Sequence, residues 1–361
     1  MVGLSLVDAL KQPARAGPPW TVYGLARRSP PAAQSTLRKL DRFLQLDVLD
    51  RAATQAALGP LAPRVTHLFW VTLAERATDD ATSAANSAML VNVLDALAGH
   101  KGSRLRHVAL QTGTRHYYWA HLCAQAQAQI QLLVPFKEEA PRTSCRLFYY
   151  DLEDILVNYS SRLTWTVHRC SAILGASDRS LYNVLLTLAI YALICKHEGA
   201  PLVFPGTPHT WLHFCDVSDA GLVAEQQIWA GTTEGAANQA FNCTNGDVFT
   251  WRSFWKVLCE QFDVELVECG LSDAGASDWV SSMMGKGPVW AEIVRENGLT
   301  ESRLEEITSF RTVWLLVNLE FQHVSCMNKS REFGFVRSVD SLKSVKKWVS
   351  KLREMNIIPK A

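Results

Sequence analysis

The chain has 361 residues, 48% of them hydrophobic, and its 36 lysines and arginines nearly balance 35 aspartates and glutamates, for a formal net charge of +1. A chain of this length buries a large core, and its balanced charge implies neither a basic surface for nucleic acid nor an acidic tail. The nine cysteines are odd in number and lack the spacing of metal ligands, which predicts reduced thiols in a cytoplasmic protein without a structural metal.

Strand and helix patterns alternate in the first half of the chain, as they do in a parallel sheet wrapped by helices. Helices are predicted at residues 3–10, 83–97 and 149–159. Five short apolar runs predict strands, at residues 20–24, 43–48, 65–72, 105–111 and 164–168. This order predicts an α/β protein with a Rossmann-like, doubly wound parallel sheet.

A basic pair, Arg27 and Arg28, follows the first predicted strand. In a Rossmann-type sheet an acidic residue at this position hydrogen-bonds the 2′-hydroxyl of the adenosine ribose. Arginine pairs instead with a 2′-phosphate. The pair therefore predicts NADPH as the cofactor and an enzyme of the reductase kind, although a solvated turn after a strand would carry the same residues.

The pattern changes near residue 175, and helices dominate beyond it. Three prolines predict a loop-rich stretch at residues 201–213, around Trp211. Eight of the 12 tryptophans lie in this second half, which predicts the wall of an apolar pocket. Helices are predicted at residues 219–230, 251–262, 277–284, 289–297 and 341–353, with a surface helix at 124–131 and a buried one at 184–195, too short to cross a bilayer.

These patterns predict two parts of the chain. Residues 1–175 form a Rossmann-like domain that binds NADP. Residues 176–361 form a smaller, mainly helical lobe that binds the substrate and is partly interwoven with the first.

Several longer motifs go beyond a generic fold. They are Val22-Tyr-Gly-Leu-Ala-Arg-Arg, Leu110-Gln-Thr-Gly, Phe148-Tyr-Tyr-Asp-Leu-Glu-Asp, Cys195-Lys-His-Glu-Gly, Phe241-Asn-Cys-Thr-Asn-Gly-Asp-Val-Phe and Met327-Asn-Lys-Ser. In their order and spacing they resemble the plant progesterone 5β-reductase/iridoid synthase family, atypical members of the extended short-chain dehydrogenases/reductases. The resemblance covers nearly the whole chain. It implies NADPH-dependent 1,4-reduction of enones, either steroid enones or small unsaturated carbonyl compounds, usually by a homodimer.

The resemblance also implies a site. At the adenosine end of the cofactor, Arg27 and Arg28 would bind the 2′-phosphate, and Asp47 and Val48 would meet the adenine. The residues along the nicotinamide would be Thr72, Leu73 and Gln111, and those that close over the cofactor would be Ile173, Ser180, Leu181 and Tyr182. Tyr149 would be the catalytic tyrosine.

Reduction of an activated C=C bond leaves negative charge on the carbonyl oxygen, as an enolate. A tyrosine hydroxyl aimed at that oxygen stabilises charge that exists only in the transition state and product. Ordinary short-chain dehydrogenases support the tyrosine with a lysine four residues later, but Glu153 stands there. The resembled family instead uses a lysine after the Leu-Gln-Thr-Gly strand, and this chain has Arg115 at that position. Arginine keeps the charge but does not give up its proton, so we expect weakened activity.

Other positions also depart from the resembled family. Arg169 is followed by Cys170-Ser-Ala-Ile in place of Pro-Gly-Asn-Ile, Leu73 replaces a tryptophan, and Tyr118-Trp119 occupy positions that smaller or flexible residues usually hold. These changes remodel the pocket. The substrate therefore does not follow from the resemblance.

The beginning of the chain differs as well. In the resembled family an apolar strand and a Gly-x-Thr-Gly turn precede the first helix, whereas here Gly3 is the one glycine of that turn. We therefore expect a chain that starts late, lacks the first strand of the sheet, and binds pyrophosphate poorly.

Two other functions fit the same fold. Arg115 and the reduced set of glycines also fit a catalytically impaired or inactive relative that binds a dinucleotide. A carbonyl reductase or a sugar-nucleotide epimerase is the other alternative, and the lack of a lysine four residues after Tyr149 argues against it.

Overall fold

A computed structural model describes residues 1–12, 19–28, 38–123, 132–180, 182–267 and 276–360. The predicted surface helix at 124–131 and Leu181 lie outside these ranges.

Within these ranges the main sheet has four parallel strands in the order β3, β4, β5, β10. They are β3 (His67–Trp70), β4 (His107–Gly113), β5 (Thr164–Cys170) and β10 (Gln239–Cys243). The last of these comes from the second half of the chain and pairs with β5 residue by residue. The sequence analysis does not predict β10, a strand that carries the buried polar residue Asn242. The folded protein satisfies that side chain with the carbonyl oxygens of Phe136 and Cys326.

A second, two-stranded parallel sheet holds β1 (Tyr23–Ala26) and β2 (Arg42–Gln45). Within the described ranges, β1 pairs with β2 and with no strand of the main sheet. The first strand thus lies later than predicted, because Leu25 and Ala26 take part in the pairing and Val22 instead donates its N–H to the carboxylate of Asp41.

The helices agree with the predicted alternation and with the helical second half. They are α1 (Val2–Leu10), α2 (Arg51–Leu58), α3 (Asp79–Leu97), α4 (Arg115–Leu122), α5 (Phe148–Asn158), α6 (Val184–Glu198), α7 (Pro208–Leu212), α8 (Ala220–Thr232), α9 (Trp251–Phe262), α10 (Ala276–Met284), α11 (Gly287–Glu296), α12 (Leu304–Ile307), α13 (Phe310–Val317), α14 (Asn328–Glu332) and α15 (Ser341–Glu354). The short strands are β6 (Ile173–Leu174), β7 (Leu202–Val203), β8 (Phe214–Cys215), β9 (Ser218–Asp219), β11 (Phe249–Thr250) and β12 (Leu266–Val267).

Two helix boundaries correct the sequence analysis, and both depend on capping. The helix α3 begins at Asp79 because the side chain of Thr78 accepts the N–H of Ala81. The helix α7 interrupts the predicted loop, since Thr207 caps it in the same way and Pro208 fits the first helical position.

Helices cover both faces of the main sheet. On one face α3 and α5 pack together, with α2 beside them, over a cluster that includes the fully buried Leu90, Leu110 and Leu156. On the other face α1 packs against α8. This layering makes the carboxyl ends of the parallel strands one open edge, where ligands of such sheets bind.

The helical second half has its own core around α6. Leu185, Leu188 and Ile190 of this helix are fully buried, as the apolar run predicts. Trp255 and Trp290 are also fully buried in this cluster, so these tryptophans fill the core instead of lining the predicted pocket. Within the described ranges, no helix is long and apolar enough to span a membrane.

A chain of hydrogen bonds lies buried between the sheet and α8. The ring nitrogens of His107 contact the hydroxyls of Thr164 at 2.9 Å and Thr166 at 3.0 Å. Thr166 in turn contacts Nε2 of His168, whose Nδ1 lies 2.7 Å from Oε1 of Gln226. Because the Gln226 amide nitrogen donates elsewhere, its Oε1 is the acceptor and His168 donates from Nδ1. Burial lowers the pKa of His107 to about 3 and that of His168 to about 4, so both rings are neutral at pH 7.

Candidate active site

Most of the predicted site residues lie along the carboxyl edge of the two sheets. Arg27 and Arg28 follow β1, Asp47 and Val48 follow β2, Thr72 and Leu73 follow β3, and Gln111 lies near the end of β4. Because the strands of each sheet are parallel, these positions share the carboxyl edge of their sheet.

The arginine pair is the most open part of this edge. Both side chains are exposed, and the carbonyl oxygen of Arg27 accepts the side-chain amide of Gln45, 3.4 Å away, on β2. Two uncovered guanidinium groups at the end of β1 suit a phosphate, to which arginine donates in a fork.

The residues after β2 divide between surface and core. The carboxylate of Asp47 is exposed and accepts the N–H of Leu49 at 3.1 Å. The side chain of Val48 is buried in the apolar cluster below α3, and its carbonyl oxygen accepts the amide of Asn92. Only the backbone of Val48 is therefore available to a ligand at this edge.

The middle of the edge combines an exposed apolar side chain with an unpaired polar one. Leu73 is 46% exposed, beside exposed Thr72. On the neighbouring strand, Oε1 of Gln111 is buried and has no hydrogen-bond partner among the described residues. Gly3 lies behind them in α1, where an added Cβ would meet Val71 at an ordinary 3.6 Å. An unpaired buried oxygen costs free energy until a ligand or water donates to it.

Tyr149 lies in the first turn of α5 and points at the end of β4. A Cβ atom on Gly113 would lie 3.0 Å from its hydroxyl oxygen and 3.1 Å from the carbonyl oxygen of Cys170. The ring packs edge-to-face on Phe148, and the hydroxyl makes no hydrogen bond to any residue in the described ranges. Gly113 thus gives the phenol room at the strand end, a role that the sequence analysis missed although the Leu-Gln-Thr-Gly motif contains it.

Burial raises the pKa of Tyr149 to about 12, and the positive charge of Arg115 acts in the opposite direction. The phenol is therefore protonated at neutral pH. It is able to donate a hydrogen bond to an oxygen that becomes negative, whereas a proton-accepting role would need the rare phenolate.

Arg115 is the first residue of α4, two residues after Gly113 ends β4. Its guanidinium carbon lies 5.2 Å from the centre of the Trp119 ring. Thr114, just before it, is buried and contacts Nε2 of His323 at 2.9 Å, while its N–H donates to the carbonyl oxygen of Cys170. The turn that presents Arg115 is thus fixed to β5 and to the second half of the chain, a restraint that no sequence pattern indicates.

Glu153, four residues after Tyr149, points away from the phenol. It lies buried, with its carboxylate 3.1 Å from Arg142, 3.7 Å from Arg169 and 3.9 Å from His116. The lysine position of ordinary short-chain dehydrogenases is therefore occupied by a carboxylate that belongs to a structural ion-pair cluster.

The residues predicted to close over the cofactor are described in part. Ile173 belongs to β6, which pairs with β9, and is half-buried. Ser180 and Tyr182 are half-buried in the segment before α6. Leu181 lies outside the described residues. The contact of these residues with a cofactor stays a prediction.

The chain matches a family and several curated proteins along its length. A model of the PRISE-like Rossmann-fold domain matches residues 50–359. A 3-oxo-Delta(4,5)-steroid 5-beta-reductase of Arabidopsis thaliana is 41% identical over 362 residues, 99% of this chain and 91% of that protein. An (S)-8-oxocitronellyl enol synthase of Camptotheca acuminata is 42% identical over 363 residues, again 99% of this chain and 91% of that protein.

Solved structures with the same architecture are more distant in sequence. The UDP-glucose 4-epimerase of Thermus thermophilus, in complex with NAD, superposes with a TM-score of 0.63 at 15% identity, over 98% of this chain and 96% of that one. The yeast methylglyoxal/isovaleraldehyde reductase Gre2, complexed with NADPH, gives a TM-score of 0.61 at 12% identity over the same shares, 98% and 96%. At these identities the similarity shows the fold alone.

Proposed function

Because the chain belongs to the PRISE-like Rossmann-fold family, we propose that it is an NADPH-dependent oxidoreductase that reduces the C=C bond of an α,β-unsaturated ketone or aldehyde. The observation that carries the proposal is the protonated, unpaired phenol of Tyr149 at the end of β4, beside the charge of Arg115. The names of the two curated relatives, a steroid 5-beta-reductase and an oxocitronellyl enol synthase, support this class of reaction.

The residues of the edge fit a nicotinamide dinucleotide. Arg27 and Arg28 would hold the 2′-phosphate, and the unpaired Oε1 of Gln111 would accept a hydrogen bond near the nicotinamide end. The exposed Leu73 would be covered by the ring. When bound, NADPH would supply the hydride that the β-carbon of the enone accepts.

The chain's own residues handle the charge that appears on the substrate. Tyr149 donates its hydroxyl hydrogen to the carbonyl oxygen, and this bond strengthens as the oxygen becomes an enolate. The guanidinium of Arg115 adds a permanent positive charge that no described carboxylate neutralises. Gly113 lets the phenol reach the strand end. Positioned donors of this kind contribute on the order of 10²–10³ in rate.

The residue four positions after Tyr149 separates this proposal from the carbonyl reductase and epimerase alternative. In those reactions a tyrosine exchanges a proton with an alcohol or its alkoxide, and ordinary short-chain dehydrogenases lower the pKa of that tyrosine with a lysine at this position. Here the position holds Glu153, whose carboxylate pairs with Arg142, so that support is missing.

The first test is turnover. Purified protein with NADPH and either 2-cyclohexen-1-one or progesterone is expected to lose absorbance at 340 nm, with the saturated ketone as the product. Tight NADPH binding without turnover of any enone in a panel would instead establish the catalytically inactive relative. The resemblance further implies a homodimer, which light scattering of the purified protein tests.

We expect the double substitution Arg27→Ala/Arg28→Ala to weaken NADPH binding about 100-fold and to leave NADH binding unchanged. Hydrogen bonds to a charged group contribute about 1.5–3 kcal/mol each, and NADH lacks the phosphate that would receive them. Energy transfer from tryptophan to the reduced nicotinamide measures both affinities. The control is Arg42→Ala, an exposed arginine at the opposite end of the neighbouring strand β2. An equal loss for both coenzymes would contradict a role in phosphate recognition.

A further inference from the structure

Two residues that depart from the resembled family contact each other on α4. Arg115 begins the helix, and Trp119 lies one turn later on the same face. The guanidinium carbon stands over the indole ring, 5.2 Å from its centre. At this distance the ring face attracts the cation, so the two side chains restrain each other.

Trp119 also contacts the segment that leads to the tyrosine. Its Nε1–H donates to the carbonyl oxygen of Arg146, 2.9 Å away and 27 residues along the chain. Arg146 directly precedes Leu147, which occupies the N-cap position of α5, and Tyr149 lies in the first turn of that helix. One side chain therefore touches both the cation and the backbone that places the phenol.

The Trp119 ring is one of two contacts that restrain Arg115 within the described part of the chain. Arg142, Arg146 and Arg169 each pair with a carboxylate there, but Arg115 pairs with none. Its other partner is the neutral hydroxyl of Tyr118. Without the ring, the long side chain of Arg115 regains rotamer freedom, and its guanidinium is no longer held in one position.

We propose that Trp119 is a positioning residue, which holds the guanidinium of Arg115 beside the hydroxyl of Tyr149. The inference rests on the proposed function, because the guanidinium matters there only as a charge near the enolate. Trp119 itself does not touch the reacting atoms. Its contribution to the rate is expected to pass entirely through Arg115.

Two substitutions separate the ring from the hydrogen bond. Trp119→Gln removes the ring and keeps a donor for the carbonyl oxygen of Arg146, whereas Trp119→Phe keeps a ring face and removes the donor. We expect Trp119→Gln to lower kcat about 10-fold with little change in KM for the enone, and Trp119→Phe to stay within about threefold of the wild type.

A double-mutant cycle with Arg115→Ala then tests whether the two residues act as a unit. Arg115→Ala alone is expected to lower kcat by about 10-fold or more, and Trp119→Gln added to it is expected to lower kcat no further. The matched control is Trp165→Gln, because the indole of Trp165 also donates a hydrogen bond, to the hydroxyl of Ser160 at 2.9 Å. Trp165 lies at the amino end of β5, far from the carboxyl ends of the strands where the site lies. It should leave kcat unchanged.

The outcomes distinguish the two levels of the proposal. An active wild type with independent, multiplicative effects of Trp119→Gln and Arg115→Ala overturns the positioning role and leaves the proposed function standing. So does a Trp119→Phe variant as slow as Trp119→Gln, because the hydrogen bond would then carry the effect. A wild type that binds NADPH but reduces no enone overturns the proposed function, and the inference with it.

Discussion

Tyr149→Phe is expected to lower kcat for enone reduction by about 10²–10³-fold, with a small change in KM. The substitution removes the one hydroxyl that donates to the developing enolate, an interaction made in the transition state and hardly at all in the ground state. The protein should keep its stability, because the hydroxyl has no hydrogen-bond partner in the described structure and the phenylalanine ring preserves the packing on Phe148. Steady-state kinetics and urea unfolding measure the two quantities.

The neighbouring tyrosine provides the matched control. The hydroxyl of Tyr150 donates to the carbonyl oxygen of His116 at 3.0 Å and accepts the N–H of Thr143 at 3.1 Å. Tyr150→Phe is therefore expected to cost about 1–3 kcal/mol of unfolding free energy and to change kcat little. The assignment of the catalytic phenol is wrong if Tyr149→Phe retains its rate, or if the two variants lose rate equally.

Acidification from about pH 7 to pH 5.5 is expected to remove about 3–4 kcal/mol of the free energy of unfolding. Burial lowers the pKa of four histidines: His107 and His116 to about 3, His168 and His323 to about 4. Their unfolded counterparts bind protons below about pH 6.5, and the folded ones do not. Their contribution to stability is therefore complete above about pH 6.5 and falls as the pH drops toward the folded pKa values, by about 1.4 kcal/mol per pH unit for each histidine.

One carboxylate opposes this trend. Burial raises the pKa of Asp216 to about 7, so that the folded state holds a proton that the unfolded state has lost above about pH 4. Its contribution grows as the pH falls and cancels about one histidine. The net effect is then that of about three histidines. The loss of unfolding free energy approaches the lower end of the 5–15 kcal/mol that typically stabilises a domain.

Thermal unfolding at about pH 7.5, 6.5 and 5.5 measures the effect, with an expected fall in Tm of about 5 °C. His168→Gln should make the dependence of Tm on pH less steep by the contribution of one histidine, because glutamine does not titrate in this range. His100→Gln, at an exposed position, is the control and should leave the dependence unchanged. A Tm that stays constant over this range would contradict the assignment of neutral, buried histidines.

The sequence was sufficient to predict the family and the class of fold. The resemblance drawn from six motifs is confirmed by the match of residues 50–359 to the PRISE-like domain. Three of the main-sheet strands and the buried helix α6 are also confirmed, because alternation and an unbroken apolar run are local signals. The strand β10 escaped prediction, since the partners that make its buried Asn242 acceptable lie more than 80 residues away.

The candidate site was predictable in its residue types and less so in its contacts. The motifs indicate Tyr149 and Arg115, but not the turn fixed by Thr114 and His323. Nor do they indicate that Trp119 stacks on Arg115, because both residues lie outside the motifs and the motifs do not show which side chains are in contact. The burial that keeps Tyr149 protonated is likewise a property of the packed α5 and β4.

The late position of β10 constrains how the protein is made. Until residues 239–243 leave the ribosome, the nascent chain carries β5 with one bare edge, and a bare edge is a template for association between chains. Asn242 also supplies the N–H that the buried carboxylate of Glu138 accepts, so the burial of that carboxylate depends on the same late segment. A fragment of residues 1–175 is therefore expected to precipitate or to need a chaperone, and sedimentation of that fragment beside the full chain would measure the difference.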